Sequence, residues 1–143
     1  MIASRIKLRI VSDIMYFPDE SPSHTDMTTD AALIETDDKI TIEYDEFLSD
    51  DDGITHTALS FSRKNPETVF LTRSGEVDMT CVIEEKKRYS FRYDMGIAFF
   101  DIIAVGKKVK NKLIDKSKSA HFVYDMEMNG TTVQTCDLKM HIQ

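Results

Sequence analysis

Apolar and polar residues alternate along most of this chain, so that hydrophobic side chains recur at every second position. Near the N-terminus, Ile6, Leu8 and Ile10 are separated by single basic residues. Because successive side chains of a β-strand point to opposite faces, this period predicts strands with one apolar and one charged face. The same period recurs in the runs Ile40–Tyr44, Leu59–Phe61, Val69–Leu71, Val77–Ile83, Tyr89–Met95, Phe122–Met128 and Cys136–Ile142.

Turn-forming residues separate these runs at intervals of roughly ten residues, a spacing typical of an antiparallel meander. The strongest turn signal is Asn129-Gly130, because both residues tolerate the positive φ angles of a tight hairpin. The other predicted turns are Pro18–Pro22, Asp37-Asp38, Asp50–Gly53, Asn65-Pro66, Ser74-Gly75 and Glu85–Lys87.

Helical patterns are scarce. Val105, Val109 and Leu113 are spaced four residues apart, so residues 106–115 could form a short helix. We favour a strand from Ile97 to about residue 110, followed by a charged hairpin tip. For residues 28–34 the two adjacent threonines likewise favour a strand over a helix.

So many strands leave two unpaired edges unless the sheet closes on itself. The sequence therefore predicts an all-β fold, a closed antiparallel barrel of about eight to ten strands with little helix. A two-sheet sandwich is the alternative. With 143 residues and no linker-like segment, the chain is expected to form one domain over residues 1–143.

Charge and composition limit the kinds of partner that we expect for this protein. The net charge of −7 disfavours nucleic acid, because phosphate backbones repel an acidic chain. No apolar run approaches the ~20 residues of a membrane span, and no signal peptide is visible, so we expect a cytoplasmic protein without a membrane partner. Cys81 and Cys136 are then expected to be free thiols. Acids concentrate in residues 35–52 and lysines in residues 107–118, which form either solvated faces or a docking surface.

No catalytic or metal-binding motif in the sequence has all the residues that it requires. A calcium loop with Gly53 at its sixth position would place Leu48 first and Leu59 twelfth, where carboxylates are required. The segment at Gly106 lacks the first glycine and the hydroxyl residue of a phosphate-binding loop. The four histidines show no ligand spacing. We therefore expect no cofactor, no metal and no enzymatic activity.

Arg73 is the most informative single residue. It shares the apolar face of Val69 and Leu71, and a guanidinium there must find acceptors because an unpaired buried charge is costly. It could hydrogen-bond backbone carbonyls and close the barrel end. It could instead anchor a ligand head group, with Tyr89, Tyr93 and Tyr124 on the wall, unless these aromatic residues simply form a packed core.

The segment from Val69 to Met79, with Arg73-Ser74-Gly75 at its centre, resembles the YwiB-like family of small bacterial proteins. Residues 44–46 with 53–57, residues 93–96 and residues 122–126 match in order, so the resemblance spans about residues 6–125. It implies a calycin-like, that is lipocalin-like, barrel without an assigned biochemical function. Two hypotheses follow. One is a non-enzymatic barrel that binds a small amphipathic or anionic ligand inside; the alternative is a protein–protein interaction module that uses its charged outer surface.

Overall fold

The computed structural model describes residues 1–46, 53–113 and 117–143, and all regular structure within these ranges is β-strand. The all-β prediction and the expected strand number are therefore confirmed. The ten strands are β1 (Ile2–Tyr16), β2 (Ser21–Glu35), β3 (Lys39–Glu46), β4 (Thr55–Ser62), β5 (Thr68–Gly75), β6 (Met79–Glu84), β7 (Arg88–Asp94), β8 (Phe99–Lys112), β9 (Ser119–Met128) and β10 (Thr131–Ile142).

All ten strands belong to one antiparallel sheet in the order β6-β5-β4-β3-β2-β1-β10-β9-β8-β7. Its two ends meet along a short seam. Asp78, just before β6, exchanges backbone hydrogen bonds of 2.9 and 3.0 Å with Asp94 at the end of β7. The turn after β6 exchanges two more, each of 3.0 Å, between Gly106 of β8 and Lys86 and Lys87. The sheet is therefore a nearly closed barrel and not a sandwich.

The inward positions are those that the alternation predicts. Leu8, Ile42, Leu59 and Phe122 are buried on four different strands, while the basic residues between the first apolar positions are exposed. Phe122 contacts Phe61 edge-to-face with ring centroids 6.4 Å apart, which joins opposite sides of the interior. The core therefore lies inside the barrel wall.

Local structure agrees with most of the sequence predictions. Asn129 and Gly130 both have positive φ, at 51° and 79°, as a tight hairpin requires. Residues 28–34 belong to β2, and β8 covers the predicted strand after Ile97. The predicted acidic turn at Asp50–Asp52 and the centre of the charged tip, residues 114–116, lie outside the described residues.

Two predicted turns are displaced. Pro22 lies in β2 and not in the preceding turn. Among the described residues, β2 pairs with β3 only from Ala32 to Glu35, so Pro22 lies where β2 has a single neighbour and a proline is tolerated. Gly75 ends β5 and pairs with Thr55, and the chain turns at residues 76 and 77.

Gly106 gives the first prediction. A β-carbon there would lie 2.0 Å from the carbonyl oxygen of Glu84, whose backbone cannot move without opening the seam. Gly106→Ala should therefore lower the free energy of unfolding by about 3 kcal/mol.

Gly96→Ala is the matched control, since Gly96 has a positive φ of 85° but no neighbour within 4 Å of an added β-carbon. It should cost only about 1 kcal/mol through backbone strain. Urea unfolding measures both changes, and equal losses would show that the close approach of Gly106 does not hold the seam.

Candidate functional site

The barrel encloses a cavity of about 370 Å³ that opens at one end. Tyr16 and Tyr93 line it near the ends of β1 and β7, and Phe100 and Val133 line it near the beginnings of β8 and β10. In an antiparallel barrel these positions lie at the same end. We call this end, where β1, β3, β5, β7 and β9 end, the mouth.

Arg73 points into this cavity and forms an ion pair with Glu46. Its Nε–H donates a hydrogen bond of 3.0 Å to Glu46 Oε1, and the two side chains are only 18% and 14% exposed. The hydroxyl of Thr57 donates to the same oxygen. The side chain of Arg73 also lines the cavity. The expected backbone-carbonyl partners of Arg73 are therefore replaced by a carboxylate.

Strand register explains why these side chains meet. Tyr44, Thr57 and Arg73 form one row across β3, β4 and β5, because Tyr44 is opposite Thr57 and Thr57 is opposite Arg73. Glu46 follows Tyr44 by two residues and therefore faces the same side. The pair thus forms at the end of three adjacent strands.

The surroundings of Arg73 keep its guanidinium charged and keep the neighbouring phenols protonated. Burial lowers the pKa of Arg73, but the charge of Glu46, the two nearby tyrosines and the hydrogen bond to Glu46 together outweigh this, and the pKa is raised overall. Burial raises the pKa of Tyr44 and of Tyr124, so both phenols stay protonated. The guanidinium of Arg73 therefore lies beside neutral phenols.

Both cysteines are free thiols inside the barrel, as the sequence analysis expected. Cys136 lines the cavity and lies 3.5 Å from Gln134 Oε1, while Cys81 is fully buried behind it. Burial raises the pKa of Cys136 to about 11 and that of Cys81 to about 12. Neither thiol is therefore a nucleophile at neutral pH.

Three of the four residues proposed for ligand binding line one cavity. These are Arg73, Tyr93 and Tyr124. Tyr89 is the exception: it lies at the start of β7, at the opposite end of the barrel, and donates a hydrogen bond of 3.2 Å to Glu84. Tyr89 lines a concave surface with Phe70, Val82 and Glu84 on the outside of the wall. The alternation assigns it to the inner face of Tyr93, but at the start of β7 its side chain does not follow that face.

A second concave surface lies on the outside of β1–β5. This outer groove, of about 800 Å³, is lined by Arg5, Asp30, Glu43, Asp45 and His56 among others. His56 is paired with Asp45 on the neighbouring strand. Of the predicted lysine cluster, Lys107 is paired with Asp125 at 3.5 Å. The groove is thus acidic, and the lysine stretch is partly neutralised within the chain.

Among the described residues, no three histidine, cysteine or carboxylate side chains converge as a metal site would require. The same part of the chain contains no helix long and apolar enough to cross a bilayer.

Residues 9–140 match a family model described as a domain of unknown function, DUF1934. The chain belongs to this family. Its fold is similar to the crystal structure of the ywiB protein from Bacillus subtilis, with a TM-score of 0.77 and 18% identity over 99% of this chain and 93% of that one. The YwiB-like resemblance is thereby confirmed, and at this identity the likeness shows the fold alone. No curated protein matches the sequence.

The ion pair of the DUF1934 barrel gives the second prediction. Arg73→Met leaves Glu46 charged and unpaired in the interior, so the free energy of unfolding should fall by about 2–4 kcal/mol. Replacing both residues with Met removes both charges, and the double variant should recover most of this loss. Thermal and urea unfolding of the two variants measure the effect. A double variant no more stable than Arg73→Met would show that the single substitution acts through packing.

The thiols give the third prediction. An unfolded cysteine loses its proton near about pH 8.5, whereas Cys136 and Cys81 keep theirs to higher pH because burial raises their pKa. Between about pH 8.5 and 11 the unfolded state therefore binds fewer protons, and stability falls as the pH rises. Urea unfolding at pH 7.5 and 10.5 should show this loss, and Cys81→Ala should reduce it. An identical pH dependence in the variant would contradict the assignment to Cys81.

Proposed function

We propose that this DUF1934 protein is a non-enzymatic barrel that binds a small amphipathic molecule in its interior. The observation that carries the proposal is the cavity itself. It combines apolar walls with a buried ion pair whose Arg73 side chain lines the cavity. Concave sites with apolar walls and a few converging polar groups are the usual form of small-molecule sites.

The charges of the ion pair determine which head group of a ligand is favoured beside it. An anion would add a net negative charge beside Glu46, which already neutralises Arg73. An uncharged group that accepts hydrogen bonds avoids this cost, since Arg73 lines the cavity and its guanidinium is a hydrogen-bond donor. A primary amide or a hydroxyl group meets this requirement. This argument favours the amphipathic form of the original hypothesis over the anionic one.

The rest of the wall suits an apolar chain. Leu71, Ile102, Met126 and Met128 line the cavity together with the ring of Tyr93. Methionine side chains adapt their shape to different ligands at little cost. The wall therefore supports binding of a flexible aliphatic group.

A binding role without catalysis accords with the chemistry of the interior. Burial keeps the thiols and the phenol of Tyr124 protonated, so none of them is an activated nucleophile or base. Glu46 is engaged by Arg73 and Thr57. These groups can orient a ligand, and the proposal assigns them no reaction.

Octanamide and octanoate test the proposal, because they share one alkyl chain and differ in head-group charge. Isothermal titration calorimetry should give tighter binding of octanamide to the wild-type protein. The double variant Arg73→Met/Glu46→Met should lose at least about tenfold in affinity for octanamide, since two hydrogen bonds to charged groups disappear.

The matched control is Arg63→Met/Glu35→Met, which removes an ion pair of 3.7 Å at the other end of β2 and β4, away from the mouth. This variant should bind octanamide as the wild type does. Absence of octanamide binding to the wild type, or equal affinity in the Arg73/Glu46 variant, would contradict the proposal.

A second candidate is supported by the outer groove. Asp30, Glu43 and Asp45 give it a negative surface, which suits a basic segment of another protein. Asp30→Asn/Glu43→Gln would weaken such an interaction without touching the cavity. This is the interaction-module alternative. It uses the outer face of the barrel wall, whereas ligand binding uses the inner face.

A further inference from the structure

Strand β2 has a long backbone edge without a neighbouring strand in the described part of the chain. Residues 21–31 pair with β1 only, because the pairing with β3 begins at Ala32. Beyond this point β3 continues to Glu46, and the outer groove, lined by Asp30 and Asp45, lies where the two strands separate. Natural proteins usually shorten or cover such edges, because an unpaired edge is a template for pairing with another strand.

Two hydrogen bonds fix the direction of the backbone groups along this edge. The carbonyl of Lys7 on β1 accepts a bond of 2.8 Å from Gln143 on the β10 side, so Lys7 does not bond the backbone of Asp30, its opposite residue on β2. The N–H of Thr36, just after β2, donates a bond of 2.9 Å to Lys39 on the β3 side. Because these directions alternate along a strand, the N–H and C=O groups of the even-numbered residues of β2 point to the β3 side.

At four positions, the backbone groups on this side have no strand to bond within the described ranges. These positions are His24, Asp26, Thr28 and Asp30, whose side chains are exposed on the outer face. Pro22 comes before them and has no N–H group, so a ladder along the edge ends there. An added strand would therefore bond backbone groups over this short stretch.

The sequence of this stretch is complementary to a second copy of itself. In an antiparallel pair with a two-fold axis at Met27, His24 faces Asp30 of the second copy. In the same register Asp26 faces Thr28. The two-fold axis repeats each contact, so the interface has two histidine–aspartate pairs and opposes no like charges. Opposite charges across neighbouring strands stabilise a sheet, whereas like charges destabilise it.

Other registers of the same pair are less favourable. With the axis at Asp26, the two copies of this carboxylate face each other, and with the axis at Thr28, Asp26 faces Asp30. With the axis at Thr25, Pro22 enters the ladder opposite Thr28, where its missing N–H leaves a carbonyl unbonded. The first register avoids these faults and bonds all four free N–H groups of each copy.

We propose that two copies of this chain associate through the free edge of β2, in antiparallel register with Met27 on the two-fold axis. The sheets of the two barrels are then continuous through β2. On the inner face Met27 meets its own copy and Thr25 faces Thr29, a pair of side chains that suits neighbouring strands. The partner of this edge is thus a second copy, and its contact is separate from the cavity.

Thr28→Pro tests the pairing, because it removes an N–H group from the edge. The backbone of Thr28 points away from β1, so the bonds within the barrel are kept and the variant is expected to fold. Sedimentation equilibrium should show a dimer of the wild-type protein. The dissociation constant should rise at least about tenfold in Thr28→Pro, since two backbone hydrogen bonds disappear. Thr28→Val keeps the N–H group and is the matched control, which should dimerise as the wild type does.

Met27→Cys tests the register. Residues that face each other across the axis have Cα atoms close enough for a disulfide, so oxidation should link two copies of this variant. Thr25→Cys is the control, since Thr25 lies about 13 Å from its own copy and should remain unlinked. The native Cys81 and Cys136 are buried and should not contribute.

Three results would overturn the proposal. The first is a wild-type protein that stays monomeric, which would leave the edge to an extended segment of another protein. The second is a dimer that Thr28→Pro does not weaken. The third is equal cross-linking of Met27→Cys and Thr25→Cys, which would show that the two copies meet in a different register or at another surface.

Discussion

The ion pair between Arg73 and Glu46 is the interaction on which the interior of this barrel depends. Both side chains are mostly buried, and each would be costly there without the other. Two apolar residues of similar size would fill the same space without this cost. The pair therefore contributes little net stability, and what it adds to the interior is a fixed set of hydrogen-bond donors and acceptors beside a cavity.

Closure of the sheet into a barrel encloses the Arg73–Glu46 ion pair. The two ends of the sheet meet at the Asp78–Asp94 bridge and at Gly106 of β8, where two backbones approach too closely for a side chain. The seam closes the wall with few hydrogen bonds. On the opposite side of the barrel, neighbouring strands are hydrogen-bonded without such an interruption. The interior is thereby enclosed by a wall that carries both Arg73 and apolar residues such as Leu71 and Phe100.

The sequence predicts the inward-facing residues of the barrel wall well, but it predicts the residues of the candidate site only in part. Alternation places Leu8, Ile42 and Cys81 inside, because a face of a strand is a local property with a period of two. Arg73 is recognised for the same reason. Its partner Glu46 is not, since the two meet through the register of β3, β4 and β5 across 27 residues of sequence. Tyr89 does not follow the alternation, because at the start of β7 it bonds Glu84 and lies with Phe70 and Val82 on the outer surface.

A crystal structure of the protein with octanamide tests the central claim most directly, because it locates both ends of one ligand. The account predicts the amide within hydrogen-bonding distance of Arg73 and the alkyl chain against Leu71, Ile102 and Met126 of the cavity wall. An empty interior, or an alkyl chain beside Arg73 with the amide elsewhere, would contradict it.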